Sequence, residues 1–391
     1  MSSTLQSFLL PVRSADPALV FGENEFTYVD ISAINRDQRK IASPQVLTTD
    51  IAPSRARQIL ATGDVIVSTV RPNLNTVALV PESLDGAIAS TGFCVLRPDR
   101  DLLNERFLFH WLSSESTVRR LVQRATGATY PAVSDKIVKT QLFDPPALAE
   151  QRRIARILDK AAGLLQKRQE ALRLADEFLM SVFIHMFGDP GSNPKGFDLG
   201  TIRDVVASAN YGTSEKASQE AGKYPILRMN NITYEGGWDF SSLKYVDLDC
   251  ETAHKYLAQR GDLLFNRTNS KELVGKTAVY MRDESMAIAG YLVRVRMNGR
   301  GNPHYVSGYL NSAHGKRTLA GRAKSIVGMA NINAQEMQDI PLLLPPIELQ
   351  NKYARIVEAV QIRLNTQQKF LRESVALQSA LSHQFFGTAE V

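Results

Sequence analysis

Two stretches of this chain carry residues that do chemistry elsewhere, and neither completes its pattern. Asp144-Pro145-Pro146 has the acid and rigid turn that an amino-group methyltransferase sets beside a flipped base, but Ala147 stands where the stacking aromatic belongs. The second such segment reads Leu344-Pro345-Pro346-Ile347, without the acid, and no Gly-rich FxGxG loop for S-adenosylmethionine occurs. Two consecutive prolines serve as helix punctuation instead. Gly275-Lys276-Thr277 ends like a phosphate-cradling loop, yet Ser270 occupies the place of its first glycine. No lysine has Asp or Glu two positions before it, the spacing of a common metal-dependent nuclease, and the six histidines form no HExxH or HxxxH pair. The chain reads as non-catalytic, with no metal site.

A different chemistry is better represented. Arg and Lys present forked or single donors to guanine, and Asn presents a donor–acceptor pair to adenine. Such residues recur after two Gly-Asp strands: Arg71, Asn73 and Asn75 after Gly63-Asp64, and Asn266, Arg267, Asn269 and Lys271 after Gly261-Asp262. Arg228, Asn230 and Asn231 form a second set, and Tyr130, Asn331 and Asn333 lie just before the Pro-Pro segments. Ordinary polar turns use the same residue types. Arg119 and Arg124 fall on Arg317 and Arg322, one basic side of two amphipathic helices that suits either phosphates or solvent.

These candidates sit at matching places because the chain repeats itself after about 200 residues. GDVIVSTVRPN from Gly63 matches GDLLFNRTNSK from Gly261, and Trp111-Leu112 fall on Tyr309-Leu310. Gln151, Ala155, Arg156 and Ile157 fall on Gln350, Ala354, Arg355 and Ile356, and each copy finishes on Phe-Gly, at Gly188 and Gly387. Each copy runs from an irregular β-rich start through a Gly-Asp strand, an amphipathic helix and Pro-Pro to a long helix. The Gly- and Pro-dense segment from Gly188 to Gly196 reads as a linker between the halves.

The long helices carry heptad seams. The first runs through Ile154, Leu158, Ala161, Leu165, Arg168, Leu172, Ala175, Leu179, Val182 and Met186. The second runs through Tyr353, Val357, Val360, Leu364, Gln367, Leu371, Ser374, Gln378, Leu381 and Phe385. Their polar interruptions, Arg168 and Gln367, share a repeat position, so an antiparallel pair is expected to bring them together. Forty residues at 1.5 Å each give a rod of roughly 60 Å.

Composition narrows the partners. With 46 Lys+Arg against 40 Asp+Glu, split nearly evenly about Gly188, neither half is a polycationic tail, and a nucleic acid would have to be met by local patches. Cys94 and Cys250 are too few and too far apart for a disulfide framework or a cysteine-rich zinc site. No apolar run approaches a membrane span and the start lacks a basic leader, so a soluble cytoplasmic protein is expected.

A globular unit, a Gly127-Ala128-Thr129-Tyr130 loop, PP-x-x-x-EQ-x-x-I-x-x-x-L and a long helix ending at Phe-Gly, in ordered duplicate, resemble the specificity (S) subunit of type I restriction-modification enzymes. PPALAEQRRIARILDKA is typical of that family's first central helix, and YPILRMNNI and NPKGFDLGTIRDV are similar to its second recognition domain. The chain departs from the pattern in its first-half opening, FLLPVRSADPALVFGENEF, and in Leu349, where the first copy has Glu150.

The resemblance implies duplicated α/β (α+β) recognition domains separated by two long antiparallel coiled-coil helices, with pseudo-two-fold architecture. It places a first recognition domain at 1–144, the first spacer helix at 145–188, linker and second recognition domain at 189–344, and the second spacer helix at 345–391. Each domain would read one half of a split target in double-stranded DNA. The helices would dock two modification subunits that methylate adenine with S-adenosylmethionine, joined by restriction subunits using ATP and Mg²⁺; this chain itself would hold no cofactor. Other readings are a specificity subunit for a fused restriction-methylation enzyme, a coiled-coil scaffold that binds proteins, or a stand-alone adenine methyltransferase.

Overall fold

The computed structural model describes residues 3–249, 251–326 and 329–387, which leaves Cys250 outside. The chain forms two compact units, one of residues 1–169 with 369–391 and the other of residues 170–368. The change of unit falls inside both long helices, Leu148–Phe187 and Ile347–Phe386. The Gly188–Gly196 segment, expected as a linker, is instead an ordered turn of the second unit. Gly188 and Gly196 take φ of 77° and 66°, and Asn193 both accepts from the Phe197 amide and donates to its carbonyl.

Each unit contains the same pair of four-stranded sheets. In the first, Phe93–Pro98 lies between Leu9–Leu10 and Val65–Ser68, with Val77–Leu79 outside. In the second, Leu292–Met297 lies between Val206–Tyr211 and Leu263–Asn266, with Thr277–Val279 outside. The other sheet of each unit holds one parallel pair among antiparallel ones, Tyr28 on Ile88 and Ile226 on Ala287. The first-half opening therefore does have a counterpart in the second. Its strand is two residues long against six in the second unit, and Leu5 and Ile202, both fully buried, start the matching 3-10 turns.

The Gly-Asp landmark has a structural cause. Gly63 and Gly261 take φ of 87° and 92°, left-handed values that favour glycine. The buried aspartates close the turn by accepting from the amides of Ala61 and Gln259, both at 2.8 Å. Asp64 is forked by Arg97 and Asp262 by Arg296, and these bonds raise both guanidinium pKa values.

The glutamine after Pro-Pro is a latch. Gln151 accepts from the Asn104 amide and donates to the carbonyls of Leu102 and Pro146. Gln350 does the same with the Asn302 amide and the carbonyls of Arg300 and Pro345. Both are 1% exposed, so the long helix is tied at its start to the cap of a short helix. Gln350→Ala leaves three backbone groups without their partner, the Pro345 carbonyl among them buried, and is expected to destabilise the second unit by about 2 kcal/mol. Urea unfolding of the variant reads this directly; a loss below about 0.5 kcal/mol would mean the latch is not holding the helix.

Within each unit, segments of the two long helices pack antiparallel. In the first, Ile154 and Leu158 share a core with Leu381, Phe385 and Phe386. In the second, Phe183 and Phe187 pack on Tyr353, with ring centroids 5.6 and 5.5 Å apart. All the seam positions are buried or half-buried, including Leu165, Leu172, Leu179, Leu364 and Leu371. The Phe-Gly ends are anchors: Phe386 meets Phe107 at 5.4 Å, and Phe187 meets Tyr305 at 4.7 Å.

One expectation about the seam is corrected. Arg168 does not meet Gln367; it donates to the Phe370 carbonyl and the Ser374 hydroxyl, with its guanidinium 5.1 Å from the Phe370 ring. Ser374, 3% exposed, is small enough to admit the arginine and supplies an acceptor that a leucine would lack.

Candidate nucleic-acid interface

The loop after each Gly-Asp strand is laid against the loop before Pro-Pro, which brings together residues some 60 positions apart. In the first unit the amide of Val133 donates to the Thr69 carbonyl at 2.9 Å, and that of Arg71 to the Pro131 carbonyl at 2.7 Å. In the second the amide of Ile332 donates to the Arg267 carbonyl at 2.9 Å, and Thr268 and Asn269 pair with Asn331 and Ala330. The strands thus fix a two-loop surface in each unit.

On the first surface Arg71 and Tyr130 meet, with the guanidinium 4.6 Å from the ring centroid and the ring 64% exposed. Arg71 holds φ 52° and ψ 61°, a left-handed backbone that a non-glycine residue adopts at an energetic cost of roughly 1–2 kcal/mol. Asn73 is exposed on the turn that follows. Asn75 is occupied elsewhere: its amide donates to the Ser113 carbonyl at 2.9 Å, tying the turn to the short helix. That bond occupies its donor within the fold, and its Oδ1 is buried.

On the second surface Arg267 lies over Tyr211, 4.9 Å from the ring centroid. Tyr211 ends the strand Val206–Tyr211, and its hydroxyl accepts from the Ala334 amide at 3.1 Å. The next residue is Gly212, where an added Cβ would lie 2.3 Å from the carbonyl oxygens of Ile288 and Ala289, so only glycine lets the strand end there. Lys271 is exposed and Asn269 half-buried, its Oδ1 accepting from the Ser270 amide; Asn331 donates to the Thr268 hydroxyl at 2.9 Å.

Three asparagines expected to read bases are absorbed by the fold. Asn266 is wholly buried and its Oδ1 accepts from the Thr268 amide at 3.3 Å. Asn231 is 1% exposed, accepting from the Arg228 amide and donating to the Asp239 carbonyl. Asn333 caps the helix Ala334–Gln338 by accepting from the amides of Gln335 and Glu336. Arg228 is half-held, donating to the Ser242 carbonyl at 2.7 Å, while its neighbour Asn230 is exposed. Sequence reasoning missed Tyr211, which lies next to no repeated landmark.

Cys94 is buried and its thiol pKa is raised by that burial. Among the described residues no cluster of three His, Cys, Asp or Glu could hold a metal ion, and no helix is long and apolar enough to cross a membrane.

The family defined by the type I restriction modification DNA specificity domain matches this chain twice, over residues 24–173 and 194–370, and the chain belongs to that family. A putative type I restriction enzyme specificity subunit of Methanocaldococcus jannaschii is 26% identical over 215 residues, 51% of this chain and 50% of that one. This chain therefore matches about half the length of that relative. A solved chain from work on complex assembly and conformational transition of the type I R-M system covers 99% of this chain and 97% of its own length, at 26% identity and a TM-score of 0.56. The type I restriction-modification S subunit of M. genitalium shares the fold at a TM-score of 0.61 and 15% identity, covering 100% of this chain and 96% of that one.

Proposed function

We propose that this chain is the DNA sequence-recognition subunit of a type I restriction-modification complex, with each unit reading one half of a bipartite target. The observation that carries this reading is the duplicated two-loop surface. In each unit a strand-fixed pair of loops presents an arginine, with asparagine or lysine beside it. Arg71, Asn73 and Tyr130 would face one half-site; Arg267, Asn269, Lys271 and Asn331 would face the other, with Asn230 at its margin. Residues 1–144 and 189–344 would supply recognition, and the helical segments 145–188 and 345–391 would set the spacing between half-sites.

The same helices would dock two modification subunits per chain, and restriction subunits would join that assembly in the cytoplasm. Adenine methylation with S-adenosylmethionine, and ATP- and Mg²⁺-dependent translocation and cleavage, would belong to those partners.

Co-expression with the cognate modification subunit, followed by single-molecule sequencing of methylated adenine, tests the reading. A methylated split motif that disappears when this chain is omitted is the expected result. A soluble complex that produces no motif would overturn it.

A further inference from the structure

The structural arginines of this fold are held by oxygen acceptors. Arg97 and Arg296 fork buried aspartates, Arg106 bonds Asp159, and Arg203 bonds Asp339. Arg71 and Arg267 differ. Among the described residues neither guanidinium has a hydrogen bond or ion pair, and each lies over the face of one tyrosine. In Arg267 the Nε is buried without a partner, which leaves the two terminal Nη groups as its outward donors.

The two pairs are not copies of one sequence feature. Tyr130 comes from the loop before Pro-Pro, whereas Tyr211 comes from the end of an edge strand. Arg267 falls on Thr69 of the first unit, since both carbonyls accept from the residue that enters after the second loop, Ile332 and Val133. The same arrangement is thus assembled in each unit from non-equivalent positions, so the repeat alone does not account for it. In the first unit it is kept despite the left-handed backbone at Arg71.

We propose that Arg71 and Arg267 are guanine-reading residues whose guanidinium planes are set by Tyr130 and Tyr211, so that each half of the target contains a G·C pair read this way. The inference rests on the proposed DNA-recognition function. An aromatic face fixes the plane of a guanidinium without using its N–H donors, whereas a carboxylate would fix it by consuming them. Two parallel donors in a fixed plane match the O6 and N7 acceptors of guanine; adenine offers one acceptor and one donor there. Tyr130 and Tyr211 are positioning residues, acting through the arginine.

The test uses the complex of this chain with its modification subunit, bound to duplexes carrying each base pair in turn at every position of its methylated motif. Arg267→Ala is expected to reduce discrimination roughly ten- to hundredfold at one G·C pair of one half-site, leaving other positions unchanged. Arg267→Lys keeps the charge but loses the planar fork, and is expected to lose the same discrimination with its salt dependence retained. Tyr211→Phe keeps the stacking face and is expected to keep discrimination; Tyr211→Leu is expected to relax it at that same base pair. Arg71 and Tyr130 should behave likewise in the other half.

Uniform weakening on all duplexes by Arg267→Ala, with a salt dependence reduced by about one ion, would mark a phosphate contact and overturn the proposal. So would unchanged discrimination in Arg267→Lys. A wild-type complex with no sequence preference at all would instead remove the recognition function on which the proposal rests.

Discussion

Exchanging residues 192–344 for the same segment of another family member is expected to change one half of the methylated sequence and leave the other half as it was. Arg267, Tyr211, Asn269 and Asn331 all lie inside that segment, while Arg71, Asn73 and Tyr130 lie outside it. The segment begins in the turn after the first long helix and ends with the strand Pro341–Leu344. Its graft must still receive Phe183, Phe187 and Tyr353 from the two long helices, which pack on Tyr305 and its neighbours. A donor with an aromatic at the Tyr305 position is therefore the proper choice. Sequencing of methylated adenine from cells expressing the hybrid reads the outcome, and a change in both halves would contradict recognition by separate modules.

Phe187→Ala is expected to remove about 4 kcal/mol from the second unit. Phe187 is 1% exposed, and its ring touches Phe183, Tyr305 and Tyr353 at once, so the cavity left behind is walled by three large rings that collapse into it only in part. Phe386→Ala should cost the first unit less, because Phe386 is 8% exposed and has Phe107 as its aromatic partner. Hydrogen exchange resolved along the chain separates the two, since each loss is expected in the unit that holds the ring. A cost under about 1 kcal/mol for Phe187→Ala would show that the aromatic cluster does not hold the helix end.

The parts of the fold governed by repeated burial could be read from the chain. The heptad seams were legible because a side chain facing a partner helix must be apolar every three or four residues. Gly63-Asp64 and Gly261-Asp262 marked real turns, although their carboxylates are bound to Arg97 and Arg296, partners more than 30 residues away that no local pattern reveals. The opening strand Leu9–Leu10 was invisible because two residues show no periodicity.

The candidate site was legible by residue type and only partly by role. Asparagine suits a base edge, a turn and a helix cap for the same reason, its paired donor and acceptor. Asn231 has used both ends of that pair within the fold and Asn266 and Asn333 their acceptors, which spacing cannot disclose. Arg71 and Tyr130 were suspected separately, and the bond between the Arg71 amide and the Pro131 carbonyl explains why they meet.

The discontinuous first unit also sets an order of events during synthesis. Its core includes Leu381, Phe385 and Phe386, which the ribosome delivers after the whole of the second unit, residues 170–368, has been made without interruption. At 5–20 residues per second, roughly 10–40 s pass between the emergence of Gln169 and that of Phe386. During that interval Ile154 and Leu158 lack their helical partner, so of the two units the one begun first is completed second. Chaperone capture or aggregation of nascent chains should therefore centre on the amino-terminal unit, while the carboxy-terminal one closes as soon as its own residues are out.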